Sequence, residues 1–292
     1  VKSTPSQTLP IIGQPPGLYL VATPIGNLKD ITLRALEVLQ AADLILCEDT
    51  RVTGKLLAHY GIKKPTLSYN DHNGEERRPK IFAALDDGKR VALVSDAGTP
   101  LVSDPGYKLA REALERGFYV TTLPGASSVL AALCLSGLPT DRFFFAGFLP
   151  AKQEACRKEI QALAGVPSTL VFFESARRLG ETLALLAAQL GNREAAVVRE
   201  ITKMYEESRR APLQELQAFY ESNGDPKGEV VIVVAPPLAG TSSLADREAQ
   251  LKLLLTSHSV KEAAAILAEQ TGQPRKEMYA LALKLMDHDK ET

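Results

Sequence analysis

Long apolar runs are missing from this 292-residue chain. None approaches the roughly 20 residues that a membrane-spanning helix requires, so no such helix is expected. Val1 to Gln14 lacks a basic start followed by an apolar core. No signal peptide is predicted there, and its Ser, Thr, Pro and Gln read as a mobile tail. Cysteine is scarce: Cys47, Cys134 and Cys156 form an odd set of three without CxxC spacing. That argues against structural zinc and points to a reducing cytoplasm. Cys47 and Cys134 lie in apolar runs and read as buried, inert thiols. The four histidines show no metal-ligand spacing, so no metal is predicted. A net charge of −1 gives no global electrostatic case for nucleic acid. The local basic pairs Arg77-Arg78, Arg157-Lys158 and Arg209-Arg210 read as solvated surface. Three motifs are also absent: GxGxxG, GxxxxGK(S/T) and GxSxG. A dinucleotide-binding turn, a P-loop and a serine nucleophile elbow are thereby set aside.

What is present is a repeated layout. Val91 to Val94 is a short apolar run of buried-strand type, and Ser95-Asp96-Ala97-Gly98-Thr99-Pro100 follows it directly. Leu18 to Ala22 runs likewise into Thr23-Pro24-Ile25-Gly26-Asn27, and Val120 to Leu123 into Pro124-Gly125-Ala126-Ser127-Ser128. Ligands of open α/β sheets sit just past the carboxyl ends of such strands, so the three loops predict one crevice.

Helices and strands alternate through the first half. Thr32 or Asp30 caps a helix to about Gln40 with Leu33, Leu36, Val38 and Leu39 on its buried face. Asp43 to Cys47 is a strand, a helix follows near Thr53 to Tyr60, and another ends at Leu85. Such alternation predicts a doubly wound α/β domain. Ser136 to Pro139 reads as a linker. Beyond it, strands at 142–147, 168–174, 195–200 and 229–235, with one amphipathic helix at 179–190, predict an α+β domain with a mixed sheet. The last fifty or so residues read as helices at 244–255, 260–270 and 275–286, with a Gly272-Gln273-Pro274 turn and Ser259 as a cap. They fit a helix-turn-helix and equally a small helical appendage. The domain reading is a flexible tail at 1–16, an α/β domain at 17–138, an α+β domain at 139–237 and a helical extension at 238–292.

The blocks Leu20-Val21-Ala22-Thr23-Pro24-Ile25-Gly26-Asn27-Leu28, Glu48-Asp49-Thr50-Arg51, Asp71-His72-Asn73, Ser95 to Pro100, Asp104-Pro105-Gly106-Tyr107, Pro124-Gly125, Phe148-Leu149-Pro150 and Phe172-Phe173-Glu174-Ser175 occur in this order. Together they resemble the ribosomal RNA small subunit methyltransferase I family, over about residues 17 to 236. The C-terminal helices resemble that family's helix-turn-helix tail. The resemblance implies an α/β, tetrapyrrole-methylase-like fold (a class III SAM methyltransferase): two α/β domains with the cofactor cleft between them, plus a small C-terminal helical extension. It implies S-adenosylmethionine (SAM) as cofactor and a homodimer. It also implies 2'-O-methylation of a cytidine in the decoding centre of 16S rRNA.

Carried over position by position, the cofactor contacts fall on Pro24, Ile25 and Gly26, on Asp96, Ala97, Gly98, Thr99 and Val102, and on Ser127 and Ser128. Phe173, Glu174 and Ala235 would contribute from the second domain. Thr99 stands where the porphyrin methylases carry Asp, which separates this chain from them. Asn70, Phe173 and Arg177 stand where the ribosomal enzymes commonly have His, Tyr and His.

Holding two reactants in line supplies roughly 7–11 kcal/mol of barrier reduction in favourable cases. A general base adds about 10²–10⁴-fold for a ribose hydroxyl. Asp49, His72, Glu174 and Lys203 are the candidates, with Arg51, Arg177 and Arg178 for RNA phosphates. Glu48 to Arg51 fits equally a helix cap with an internal ion pair, and Asp71 to Asn73 a turn cluster. The near-neutral charge favours the folded 30S subunit over naked RNA, since shape and 2'-hydroxyls then carry recognition. Two other readings remain open: a methylase of a tetrapyrrole or other small acceptor, and a non-catalytic SAM-sensing nucleic-acid binder.

Overall fold

A computed structural model describes residues 14–70, 72–224, 226–237, 244–256, 258–271 and 273–288. Most of the predicted tail, Asp71 of its block and Gly272 of the predicted turn lie outside these residues. The chain forms two compact units. The first holds the described residues up to Ala131 together with Ile201–Met204; the second holds Ala132–Glu200 and the described residues from Tyr205 onward.

In the first unit β1 (Gly17–Val21), β2 (Leu44–Cys47), β3 (Thr66–Ser68), β4 (Arg90–Val94) and β5 (Val120–Leu123) form one sheet in the order β3-β2-β4-β1-β5. Every pairing in it is parallel. Parallel strands need helical crossovers, which cover both faces and explain the unbroken apolar runs. Helices α1 (Leu33–Ala41) and α2 (Thr50–His59) pack on the face of Tyr19, Val21, Ile45, Ala92 and Val94. Helices α3 (Gly74–Asp86) and α4 (Tyr107–Glu115) pack on the face of Leu18, Leu46, Val91 and Leu93.

Two sequence expectations are corrected here. Leu33 is 79% exposed, because the inward stripe of α1 is Ala35, Val38 and Leu39. Cys134 is exposed on α5 (Ser128–Ser136), whose inward positions are Val129, Ala132, Leu133 and Ser136 at helical spacing. Cys47 and Cys156 are buried, and burial pushes both thiols up.

The order of the first sheet has a consequence for ligands. The chain leaves β1 through α1 towards β2, and leaves the adjacent β4 through α4 towards β5, on the opposite face. The β1 and β4 loops therefore part at a topological switch point, where open α/β sheets bind ligands.

In the second unit β6 (Phe143–Phe148), β7 (Thr169–Ser175), β8 (Glu194–Arg199), β9 (Glu207–Pro212) and β10 (Glu229–Val234) take the order β6-β7-β10-β8-β9. Only β6 and β7 run parallel; the other pairs are antiparallel. Helices α6 (Gln153–Leu163), α7 (Leu179–Leu190) and α8 (Leu213–Asn223) bury Ile160, Leu183, Leu186 and Leu216 against Leu170, Phe172, Val197 and Ile232.

Three further helices, α9 (Leu244–Leu255), α10 (Val260–Thr271) and α11 (Arg275–His288), share their own core around Leu251, Leu267 and Met278. Ser259 and Glu262 form a capping box at the start of α10: the Ser259 N–H donates to Glu262 Oε2 at 3.0 Å, and the Glu262 N–H donates back to Ser259 Oγ at 3.4 Å. Among the described residues no helix is long and apolar enough to cross a membrane.

Candidate active site

The loops after β1 and β4 are stitched together. The Thr23 N–H donates to the Gly98 carbonyl at 2.9 Å, and the Gly98 N–H donates to the Thr23 carbonyl at 3.0 Å. Thr23 Oγ1 adds a bond to the Ser95 carbonyl at 2.9 Å, a third tie between the two loops. Gly98 sits at φ +86°, where side chains are disfavoured, and a Cβ there would meet Ile25 Cγ2 at 3.3 Å. The β5 loop closes on the same region. Thr99 Oγ1 donates to the Ala126 carbonyl at 3.2 Å, and a Cβ on Gly125 would meet Ala22 Cβ at 2.9 Å. Ser127 caps α5, its hydroxyl accepting the Leu130 N–H at 3.4 Å.

Two loop segments, each read from sequence through a single residue (Lys203 and Val102), take backbone paths that the sequence did not predict. Ile201–Met204 belongs to the first unit although the chain enters it from β8. A Cβ on Gly26 would meet Lys203 Cγ at 2.5 Å, Thr202 Oγ1 at 2.8 Å and the Ile201 carbonyl at 3.0 Å. The candidate Lys203 thus lies against the β1 loop. The second segment follows Thr99. Leu101 and Ser103 take φ +73° and +58°, and Thr202 takes +67° in the hook just described. A non-glycine residue in the left-handed region costs on the order of 1–3 kcal/mol and persists only where its surroundings overdetermine it. No sequence pattern marks such positions.

The carboxylates divide sharply. Asp49 caps α2: its Oδ1 accepts the Arg51 N–H at 2.8 Å, and its Oδ2 pairs with the Arg51 guanidinium at 2.6 Å. Those bonds hold its carboxyl at about 2. Asp96 lies one strand away and accepts the Asp49 N–H at 3.1 Å. Burial pushes Asp96 above the usual carboxylate range, and the Asp49 charge adds to the rise. Asp104 is pushed up as well: burial raises it most, the Ser95 hydrogen bond pulls it back, and the charge of Asp96 adds to the rise. His72 is exposed in an Asn70 turn, its N–H donating to Asn70 Oδ1 at 3.1 Å.

In the second unit the candidates are engaged internally. Glu174 is 3% exposed; it accepts from the Ser175 N–H and from Thr182 Oγ1, each at 2.7 Å. Arg178 approaches it at 3.6 Å and donates to the Leu149 and Pro150 carbonyls. Arg177 is exposed on the neighbouring turn. Phe173 stacks edge-on with Phe145 at 4.8 Å between ring centres, and the Ala235 N–H donates to the Glu194 carbonyl at 2.8 Å.

The loops after β1, β4 and β5 present hydroxyls at Thr99 and Ser127 and a carboxyl at Asp96, while Gly98 is buried with both backbone groups bonded to Thr23 and Gly26 is packed against the Ile201–Lys203 segment. That donor set suits a small ligand with hydrogen-bonding ring edges and a positive centre, which would favour the ionised form of Asp96. Among the described residues no group of three or more His, Cys, Asp or Glu is placed to hold a metal ion.

Known proteins resemble this chain over most of its length. Residues 17–217 match the family model of the Tetrapyrrole (Corrin/Porphyrin) Methylases, and residues 241–286 match the RsmI C-terminal HTH domain. The chain is similar to the ribosomal RNA small subunit methyltransferase I of Mesorhizobium japonicum, with 51% identity over 93% of each chain. It is similar to the protein of that name from Escherichia coli O157:H7, at 46% identity over 91% of this chain and 94% of the relative. Among solved structures it shares the fold of diphthine synthase (TM-score 0.58, 20% identity, 75% of this chain and 89% of that one). It also shares the fold of a Thermus thermophilus uroporphyrin-III C-methyltransferase complexed with S-adenosylhomocysteine (TM-score 0.53, 23% identity, 75% and 97%). The chain belongs to the ribosomal RNA small subunit methyltransferase I family, within the tetrapyrrole methylases, and is a SAM-dependent methyltransferase.

Proposed function

We propose that this chain methylates the ribose 2'-oxygen of a cytidine in the decoding centre of 16S rRNA, on the assembled 30S subunit, and that it works as a homodimer in the cytoplasm. The observation that carries the reading is the bridged crevice at the switch point, in a chain whose relatives are named for small-subunit rRNA methylation along nearly their whole length.

SAM supplies a methyl group already activated by its positive sulfur. In this reading Gly98 lets the β1 and β4 loops meet closely and Gly26 admits the Lys203 segment, so that both shape the cofactor site; Thr99 and Ser127 offer hydroxyls, and Asp96 faces the positive charge. Pro24, Ile25, Ala97, Val102 and Ser128 complete the contacts from the same loops. Asp49 serves better as an anchor for Arg51 than as a proton acceptor, because a carboxyl held at about 2 has little affinity for a proton near neutrality. The Arg51 side chain is 87% exposed, and its fixed guanidinium fork suits a phosphate. Lys203, against the β1 loop, orients the acceptor nucleotide. Glu174 and Arg178 support their loop from within, leaving Arg177 as the second arginine for rRNA.

The test is methyl transfer from radiolabelled SAM to 30S subunits that lack the modification, mapped by nuclease-resistant dinucleotides. Label at a 2'-O-methylcytidine of the decoding region is the expected result. Equal activity on free 16S rRNA would overturn the preference for the assembled subunit. SAM binding without label on 30S would overturn the substrate in favour of a small acceptor, and binding without turnover on any acceptor would favour a sensor.

A further inference from the structure

The Ser95 hydroxyl has more to satisfy than one hydrogen allows. Ser95 is 5% exposed. Its Oγ lies 2.9 Å from the Ala97 carbonyl, accepts the Ala97 N–H at 3.1 Å, and contacts Asp104 Oδ2 at hydrogen-bonding range. A carbonyl and an ionised carboxylate are both pure acceptors, and Ser95 has a single hydrogen to share between them. The bonds balance when the Asp104 carboxyl brings its own proton: Asp104 donates to Ser95 Oγ, and Ser95 donates to the Ala97 carbonyl. The titratable group acting on Asp104 is Asp96; Asp49, paired with Arg51, acts in turn on Asp96. All of these stand at the carboxyl ends of β2 and β4, and a second negative charge there would meet Asp96 across a partly buried edge.

The span between Ser95 and Asp104 is the segment that carries Asp96 to Val102 and holds Leu101 and Ser103 in left-handed backbone. Gly106 seals its far end, for a Cβ there would meet Leu93 Cδ2 at 2.6 Å and Leu101 Cδ2 at 2.7 Å. The Ser95–Asp104 bond thus closes the loop upon itself.

We propose that Asp104 works as a neutral, hydrogen-bond-donating acid, a positioning residue that locks the Ser95–Asp104 loop in its cofactor-holding shape. The positioning role rests on the assignment of SAM to this loop. An amide can replace a neutral acid as donor to Ser95; because it can also accept, the carboxyl titration and the pH dependence of affinity carry the distinction from an ionised Asp104. Asp104→Asn therefore keeps the lock and Asp104→Ala removes it.

The experiment has two readouts on the full chain. The first is a pH titration of ¹³C-carboxyl-labelled aspartates by NMR without cofactor. One carboxyl is expected to titrate well above the others and to be missing from Asp104→Asn. The second is SAM affinity by calorimetry across acid to alkaline pH, with steady-state KM and kcat on 30S subunits. Wild type loses affinity as pH rises through the Asp104 titration, while Asp104→Asn stays within about twofold of it at neutral pH and loses the pH dependence. Asp104→Ala and Ser95→Ala bind SAM about tenfold more weakly, the order expected for one lost buried hydrogen bond, in KM rather than kcat. Asp104→Asn falling as far as Asp104→Ala would overturn the proposal, as would aspartates that all titrate in the ordinary range. A high-titrating carboxyl with undiminished SAM affinity in Asp104→Ala would overturn the positioning role. If Gly98→Val then also bound SAM normally, the assignment of the cofactor to this loop would be the part that failed.

Discussion

Two pairs of carboxylate and arginine, one in each unit, use the same chemistry for different ends. Asp49 and Arg51 meet at the start of α2, with the Arg51 side chain 87% exposed. Glu174 and Arg178 meet at the end of β7, with the Glu174 side chain 1% exposed and its oxygens also bonded to Ser175 and Thr182. The first pair leaves a guanidinium exposed on the first turn of α2. The second ties a strand end, a helix and the Leu149–Pro150 turn into one network. An all-parallel sheet sends its loops to one edge, where they remain available to a ligand. A mixed sheet has no such common edge, and its polar strand ends are absorbed by packing.

The largest effect that would sharpen this contrast lies at the glycines. Gly98→Val should cut SAM affinity by about a hundredfold or more, since loop displacements of an ångström cost that much in positioned sites. Gly180→Ala, in α7 with nothing within 4 Å of its new Cβ, should leave affinity within about twofold. Calorimetric titration of both variants checks the pair, and equal losses would break the contrast.

Glu174→Ala comes next. It leaves Thr182 and Arg178 without their shared acceptor, and unfolding by urea should show a loss of about 3 kcal/mol. A variant of wild-type stability that fails to bind SAM would instead make Glu174 a ligand contact.

The smallest effect is in the acid and neutral limbs of stability. Asp49 is held at about 2, below its unfolded value; its contribution is present above that unfolded value and is lost as pH falls towards 2. Asp96 and Asp104 are raised, so theirs is complete below the unfolded value and is lost as pH rises through the folded ones. Urea midpoints measured against pH should therefore show a flatter acid limb in Asp49→Asn and a smaller loss on the neutral side in Asp96→Asn. Parallel curves for both variants would contradict the opposite signs.

The elements that were legible from sequence are those in which local pattern and tertiary packing agree. Helix α7 runs over the same residues as its amphipathic stretch, and β4 follows its valines and leucine. The edge strand β9 was not read, because Glu207-Ser208-Arg209-Arg210 looks like solvated surface. In the fold Arg209 stacks 3.5 Å over Phe219, and Arg210 donates to the Leu135 and Ser136 carbonyls. Helices α6 and α8 were likewise passed over. Helix α2 begins at Thr50 rather than near Thr53, because the Asp49 cap, weighed as an alternative, does form.

By itself the sequence determined the runs of strand and helix, the small-residue loops and the family, since each rests on neighbours a few residues apart or on motifs in order. The tertiary structure alone decided the β3-β2-β4-β1-β5 order that makes β1 and β4 the switch point, the insertion of Ile201–Met204 against Gly26, and the closure of Asp104 on Ser95. Strand order and the Gly26 contact depend on groups far apart along the chain. The Asp104 closure, though only nine residues long, depends on a left-handed path through Leu101 and Ser103 that local residue preference does not encode.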